Sequence, residues 1–271
     1  MRKITVIGAG TMGRGIALVC AQAGFHVIVQ DIHQESLQKC KQYIDRFLET
    51  GSIEYTANLE DAVGSADLVI EAILEVMDLK KEIFKKIDQI APREAILATN
   101  TSTMSPTEIA SVTSRPDKCI ALHFFNPVHK MKLIEVICGL ETSEETIESA
   151  FAFGEKIGKE CVKINEFPGF ATSRMNCLIG NEAMFMVMEG VGSVEDIDRA
   201  MKLGLNHPMG PLELADLVGL DSRLRNMEYL HKTLGEKFRP CPILQKYVSA
   251  GWTGKKSGRG FYQYDERGNK I

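Results

Sequence analysis

The chain has 271 residues, with 32 Lys and Arg against 36 Asp and Glu and a formal net charge of −4. Its 44% hydrophobic and 25% charged residues suffice to bury the core of one large or two moderate domains, and exclude a disordered chain. The slight acidity argues against a nucleic-acid partner, and no apolar run approaches the ~18 residues of a membrane span.

The first apolar stretch, residues 4–7, is too short for a signal peptide and runs straight into glycines. It reads as a strand, followed by Gly8-Ala9-Gly10-Thr11-Met12-Gly13 and a helix reaching Gly24. In that context the first glycine allows a tight turn, the second lets the backbone approach a pyrophosphate, and the third lets helix and strand pack closely. Free N–H groups at the helix start, around Thr11 and Met12, suit phosphate. A second strand, His26–Gln30, delivers Asp31 about 20 residues beyond the loop, the offset at which an acid meets the adenosine ribose. Asp31 would repel a 2′-phosphate and Ile32-His33 follows it, so NAD is expected rather than NADP.

Further apolar runs at 68–72, 95–99 and 119–123 read as buried strands. Between them Met77, Lys80, Ile83, Phe84, Ile87 and Ile90 recur at helical spacing, and Ser105-Pro106-Thr107-Glu108 is a capping box. Strands alternating with helices predict a parallel sheet covered on both faces. Residues 147–157 predict another helix and 161–165 a last strand. Beyond Pro168 the pattern is helical over 169–189, from Ser193 to Gly204 and around 222–234, with turn-rich stretches at 206–211 and 240–242 and a possible strand only at Phe261-Tyr262. The expected fold is a Rossmann-type dinucleotide-binding domain, residues 1–166, followed by an all-α domain, residues 167–271.

The seven cysteines (Cys20, Cys40, Cys119, Cys138, Cys161, Cys177 and Cys241) are odd in number and show no CxxC spacing. They point to reduced thiols in the cytoplasm rather than disulfides or a metal site, so Asn100-Thr101-Ser102 is not read as a glycosylation acceptor.

Ligands of open α/β sheets bind outside the carboxyl ends of the strands. Asn100-Thr101-Ser102 stands at one such end and His123 at the next. A serine there is usually a turn residue and a lone histidine usually structural. Glu135, however, lies in the apolar run Leu133-Ile134-Glu135-Val136-Ile137, where a carboxylate either sits on a strand edge or is held by a partner. Beside His123 it would orient the imidazole and stabilise its protonated form. Such a pair serves alcohol oxidation, in which a base takes the hydroxyl proton as hydride leaves for NAD. His26, His33, His129, His207 and His231 lack this combination.

The glycine loop, Asn100-Thr101-Ser102, His123-Phe124-Phe125-Asn126-Pro127, Met131-Lys132-Leu133-Ile134-Glu135-Val136, Pro168-Gly169-Phe170, His207-Pro208-Met209-Gly210-Pro211 and Lys256-Ser257-Gly258-Arg259-Gly260-Phe261-Tyr262 together resemble the 3-hydroxyacyl-CoA dehydrogenases, most of all the bacterial 3-hydroxybutyryl-CoA enzymes. The resemblance implies NAD-dependent interconversion of L-3-hydroxyacyl-CoA, of short chain, and 3-ketoacyl-CoA. It implies His123 as catalytic base, Glu135 as its partner and Ser102 as a substrate-binding catalytic residue. Asn126 matches a position near substrate and cofactor, and Glu75, Lys80 and Lys256 match cofactor-contacting positions. It further implies a homodimer built by the C-terminal helices. Two departures stand out. Ser173 takes the place of an Asn that polarises the substrate carbonyl, and would either do the same or cap its helix. The stretch 39–62 is shorter than the family's helical hairpin that grips the CoA nucleotide. A dehydrogenase of free sugar or hydroxy acids and a non-catalytic NAD-binding protein remain as alternatives.

Overall fold

The computed structural model describes residues 1–271. The chain divides into two compact units, Met1–Phe167 and Pro168–Ile271.

The first unit is built on one eight-stranded sheet. Its strands are β1 (Lys3–Ile7), β2 (His26–Gln30), β3 (Ile53–Thr56), β4 (Leu68–Glu71), β5 (Ile96–Thr99), β6 (Cys119–Phe124), β7 (Leu133–Cys138) and β8 (Glu160–Asn165). They lie in the order β3-β2-β1-β4-β5-β6-β7-β8, all parallel except for the antiparallel pair β6–β7. The central strands are apolar on both faces because helices cover both. Leu68, Ile70, Ile96 and Ala98 pack with α1 (Thr11–Gln22), α2 (Gln34–Ile44) and α6 (Glu144–Lys156). Val69 and Leu97 face the other way, with α3 (Leu59–Val63), α4 (Met77–Ile90) and α5 (Pro106–Ala110). The strand order reverses between β1 and β4, which places a ligand crevice at the carboxyl ends of these strands. This is the expected Rossmann-type architecture.

The helix starts follow their capping residues. The Ser105, Ser143 and Ser193 side chains accept from the amides of Glu108, Thr146 and Asp196.

The second unit is helical: α7 (Thr172–Met188), α8 (Val194–Gly204), α9 (Pro211–Val218), α10 (Leu220–Leu234) and α11 (Pro242–Ser249). Its core includes Met184, Ile197, Leu212, Met227, Leu230, Phe238 and Leu244. The tail after α11 makes isolated bridges, Arg259 to Gln263 and Tyr264 to Lys270. Two buried aspartates organise this unit. Asp198 accepts the Leu212 and Glu213 amides at the start of α9, and Asp216 accepts the Phe261 and Tyr262 amides and the Tyr264 hydroxyl. A side chain at Gly210 would collide with Asp198 and one at Gly260 with Asp216. These two motif glycines therefore reflect architecture.

Several elements were not expected from the sequence. β3 was not expected, because Ile-Glu-Tyr-Thr is a half-exposed edge segment with little apolar contrast. Of the two alternatives open for the run carrying Glu135, the strand edge falls away, because β7 lies between β6 and β8. α9 begins at Pro211, inside what reads as turn, since Pro is at home in the first turn of a helix.

Candidate active site

The three loop glycines are required for different reasons. Gly8 has φ +100°, and a Cβ there would lie 2.7 Å from the Ala72 carbonyl oxygen. A Cβ on Gly13 would overlap the Gly8 carbonyl. Gly10 meets nothing within 4 Å. Protein packing thus demands the first and third glycines but not the second. Gly10 and Thr11 are exposed and Met12 half-buried, and α1 begins here with no side-chain cap and no acid in its first turn. That end suits an anion. Asp31, after β2, accepts the Ala9 amide at 2.8 Å and the His33 amide at 2.9 Å. These bonds hold its carboxylate beside the glycine loop with lone pairs to spare for hydroxyl donors. The loop and Asp31 fit a dinucleotide.

Beyond β4 lies a buried charge cluster. Lys80 is 0% exposed and sits 2.7 Å and 3.0 Å from the two oxygens of Glu71, itself 0% exposed, and 3.3 Å from Glu75 Oε2. Burial alone would depress the Lys80 ammonium, but the Glu71 and Glu75 charges outweigh it and hold its pKa above the ordinary lysine value. Lys80 therefore lies in the interior, and its direct partners are the two glutamates. Glu75 Oε1 in turn accepts the Thr101 hydroxyl at 2.5 Å and the Ser102 amide at 2.8 Å. Sequence reasoning missed Glu71, Thr99 and Thr101. The available signal was a carboxylate closing an otherwise apolar strand.

His123 and Glu135 are direct cross-strand partners in the antiparallel β6–β7 pair. His123 Nδ1 lies 2.7 Å from Glu135 Oε2, with the two residues 5% and 0% exposed. The Phe125 ring packs at 4.4 Å from the imidazole. Asn100 Oδ1 accepts the Phe124 amide at 3.0 Å, tying the loop after β5 to the end of β6. Ser102, half-buried, and Asn126, exposed, stand on the loops after β5 and β6 respectively. The geometry gives a sheltered imidazole with a fixed carboxylate partner, an arrangement able to exchange a proton.

In the second unit, Ser173 is the second residue of α7, whose N-cap is Ala171 without any side-chain cap. The helix-capping reading of Ser173 is thereby removed. Asn176 Oδ1 accepts from buried Arg223 at 3.2 Å. Lys256 is 2.6 Å from Asp221. Burial would raise the Asp221 carboxyl, but Lys256 holds it below the usual carboxylate range. All seven cysteines are free thiols, no cluster of metal-binding side chains is present, and no helix is long and apolar enough to cross a membrane.

Residues 3–167 match the family model described as 3-hydroxyacyl-CoA dehydrogenase, NAD binding domain, and residues 169–264 match 3-hydroxyacyl-CoA dehydrogenase, C-terminal domain. A probable 3-hydroxybutyryl-CoA dehydrogenase of Bacillus subtilis is 51% identical, over 98% of this chain and 99% of that protein. A 3-hydroxybutyryl-CoA dehydrogenase of Bradyrhizobium diazoefficiens is 43% identical, over 97% and 96%. The crystal structure of (S)-3-hydroxybutyryl-CoA dehydrogenase from Ralstonia eutropha superposes with a TM-score of 0.90 at 41% identity, covering 98% of this chain and 100% of that one. With matching models over both of its units, the chain belongs to the 3-hydroxyacyl-CoA dehydrogenase family of NAD-dependent oxidoreductases.

Proposed function

We propose that the protein interconverts L-3-hydroxyacyl-CoA and 3-ketoacyl-CoA of short chain, with 3-hydroxybutyryl-CoA as the preferred hydroxy substrate. The observation that carries this reading is the buried His123–Glu135 pair at the end of β6. NAD, when bound, supplies the hydride acceptor. Gly10 and the start of α1 hold its pyrophosphate, and Asp31 its adenosine ribose. His123 takes the substrate hydroxyl proton at Nε2, since Nδ1 is engaged by Glu135. Glu135 fixes the imidazole orientation and offsets the charge the proton brings. Ser102 donates its hydroxyl to the substrate oxygen, and Asn126 borders the reacting centre. Glu75 and Lys256 assist cofactor binding, and Lys80 does so through Glu75, which it contacts. Ser173 donates its hydroxyl toward the substrate carbonyl, in the place of the family's Asn.

The second unit contributes to substrate binding and to a homodimer. Met175, Val191, Leu203 and Leu205 of this unit are apolar and 57–75% exposed. The free thiols support a reducing, cytoplasmic setting.

NADH consumption decides the reading. Turnover of acetoacetyl-CoA well above that of free acetoacetate is expected. Reduction of free keto acids without activity on the CoA ester would overturn it. The short connection between α2 and β3 makes that comparison necessary.

A further inference from the structure

Glu71 and Thr99 take no part in the chemistry proposed above, yet both are buried at the carboxyl ends of adjacent strands, β4 and β5. Every polar atom of the Glu71 carboxylate is used. Oε1 accepts from Lys80 at 2.7 Å and from the Ile73 amide at 2.7 Å, and Oε2 accepts from Lys80 at 3.0 Å and from the Thr99 hydroxyl at 2.7 Å. From Lys80 the chain of contacts continues to Glu75, and from Glu75 to the Thr101 hydroxyl and the Ser102 amide. Thr101 Oγ1 then accepts the Met104 amide at 3.0 Å, closing the turn that carries Ser102.

Stability does not explain such a cluster. Glu71 and Lys80 are wholly removed from water and Glu75 partly so, which costs desolvation that their attraction barely repays, and apolar residues of the same volume often do as well or better. What a fully bonded buried network does supply is one fixed position for the groups at its end. Here that end is the backbone of Ser102.

We propose that Glu71 and Thr99 are positioning residues for Ser102. They lock Lys80 against Glu75, and Glu75 sets the height of the Ser102 loop over the carboxyl ends of β4 and β5. This inference rests on the reading of Ser102 as a substrate-binding group.

The test uses the full chain with saturating NADH and varied acetoacetyl-CoA. Thr99→Val keeps the shape and removes one donor to Glu71, without stranding a charge as Glu71→Gln would. Its KM for acetoacetyl-CoA is expected to rise about tenfold, within the ~10²-fold that a misplacement of about 1 Å can cost. Thr99→Ser, which keeps the hydroxyl, should restore the parent KM, and the pH profile of kcat should stay unchanged because His123 lies outside the network. Ser102→Ala should raise KM by itself, and adding Thr99→Val to it should change KM no further, since both act on one contact.

A folded Thr99→Val with the parent KM, or an additive effect in the double variant, would overturn the inference while leaving Ser102 in its role. If Ser102→Ala leaves KM unchanged, the reading of Ser102 itself falls, and the inference with it. Should Thr99→Val not fold, Thr99→Ala removes the same donor to Glu71 without added bulk and carries the same expectations.

Discussion

His123 and Glu135 face each other across the antiparallel β6–β7 pair, with Nδ1 and Oε2 2.7 Å apart. The register that makes them neighbours also buries both, so the carboxylate cannot exchange its partner for water. His123→Gln should lower kcat by the ~10²–10⁴-fold that general acid–base catalysis supplies, with NADH affinity intact. Glu135→Gln should lower kcat by about 10²-fold through loss of the counter-charge. Steady-state assays beside NADH fluorescence titrations check both, and a His123→Gln enzyme that keeps its kcat would end the assignment.

The loop glycines separate binding from folding. Gly10→Ala adds a methyl where the protein leaves open space. It should change stability by no more than about 1 kcal/mol, the scale of an N-cap substitution, while NADH binding falls steeply. Gly13→Ala drives its methyl into the Gly8 carbonyl and should impair folding itself. Thermal melts alongside cofactor titration distinguish the two.

Asp31 should set the preference for NAD. Its carboxylate is aimed by the Ala9 and His33 amides. Asp31→Ser combined with His33→Arg should weaken NADH by about tenfold, or ~1.4 kcal/mol, and improve NADPH. The ratio of kcat/KM values for the two cofactors reports this, and a parent that already prefers NADPH contradicts the argument.

Asp216 ties the C-terminal tail to α9 through the Phe261 and Tyr262 amides and the Tyr264 hydroxyl. Asp216→Ala strands these donors and should destabilise the protein by about 3 kcal/mol or more, measured by urea unfolding. Burial holds this carboxyl above its ordinary value. The folded state therefore keeps the proton to higher pH than the unfolded chain. Its contribution to stability is full below the unfolded value of about 4 and declines as pH rises through the folded value. Relative to Asp216→Asn, the parent should lose stability across that window.

The parts most legible in the sequence were those encoded within a few residues. Ser193 marks the start of α8 because its side chain caps an amide three residues on. β3 was illegible because Ile53–Thr56 is a half-exposed edge strand. Lys80 was legible as a member of the helical stripe of α4, but the partners of its ammonium were not. Glu71, nine residues away on β4, and Glu75 together make its burial tolerable.

The amino-acid order by itself determined the glycine turn before α1, the acid after β2 and a histidine at a strand end. Each follows from local backbone sterics or from strand periodicity. The sequence could also name Glu135 as a partner for that histidine, but not place it there. The antiparallel register of β6 and β7 decided that contact, and the parallel pairing of β4 with β5 decided that Glu71 and Thr99 would share a hydrogen bond. A strand shifted by one residue turns every side chain to the opposite face. Which polar groups meet is therefore settled by packing over the whole sheet, a balance of many small apolar contacts that no single stretch of sequence contains.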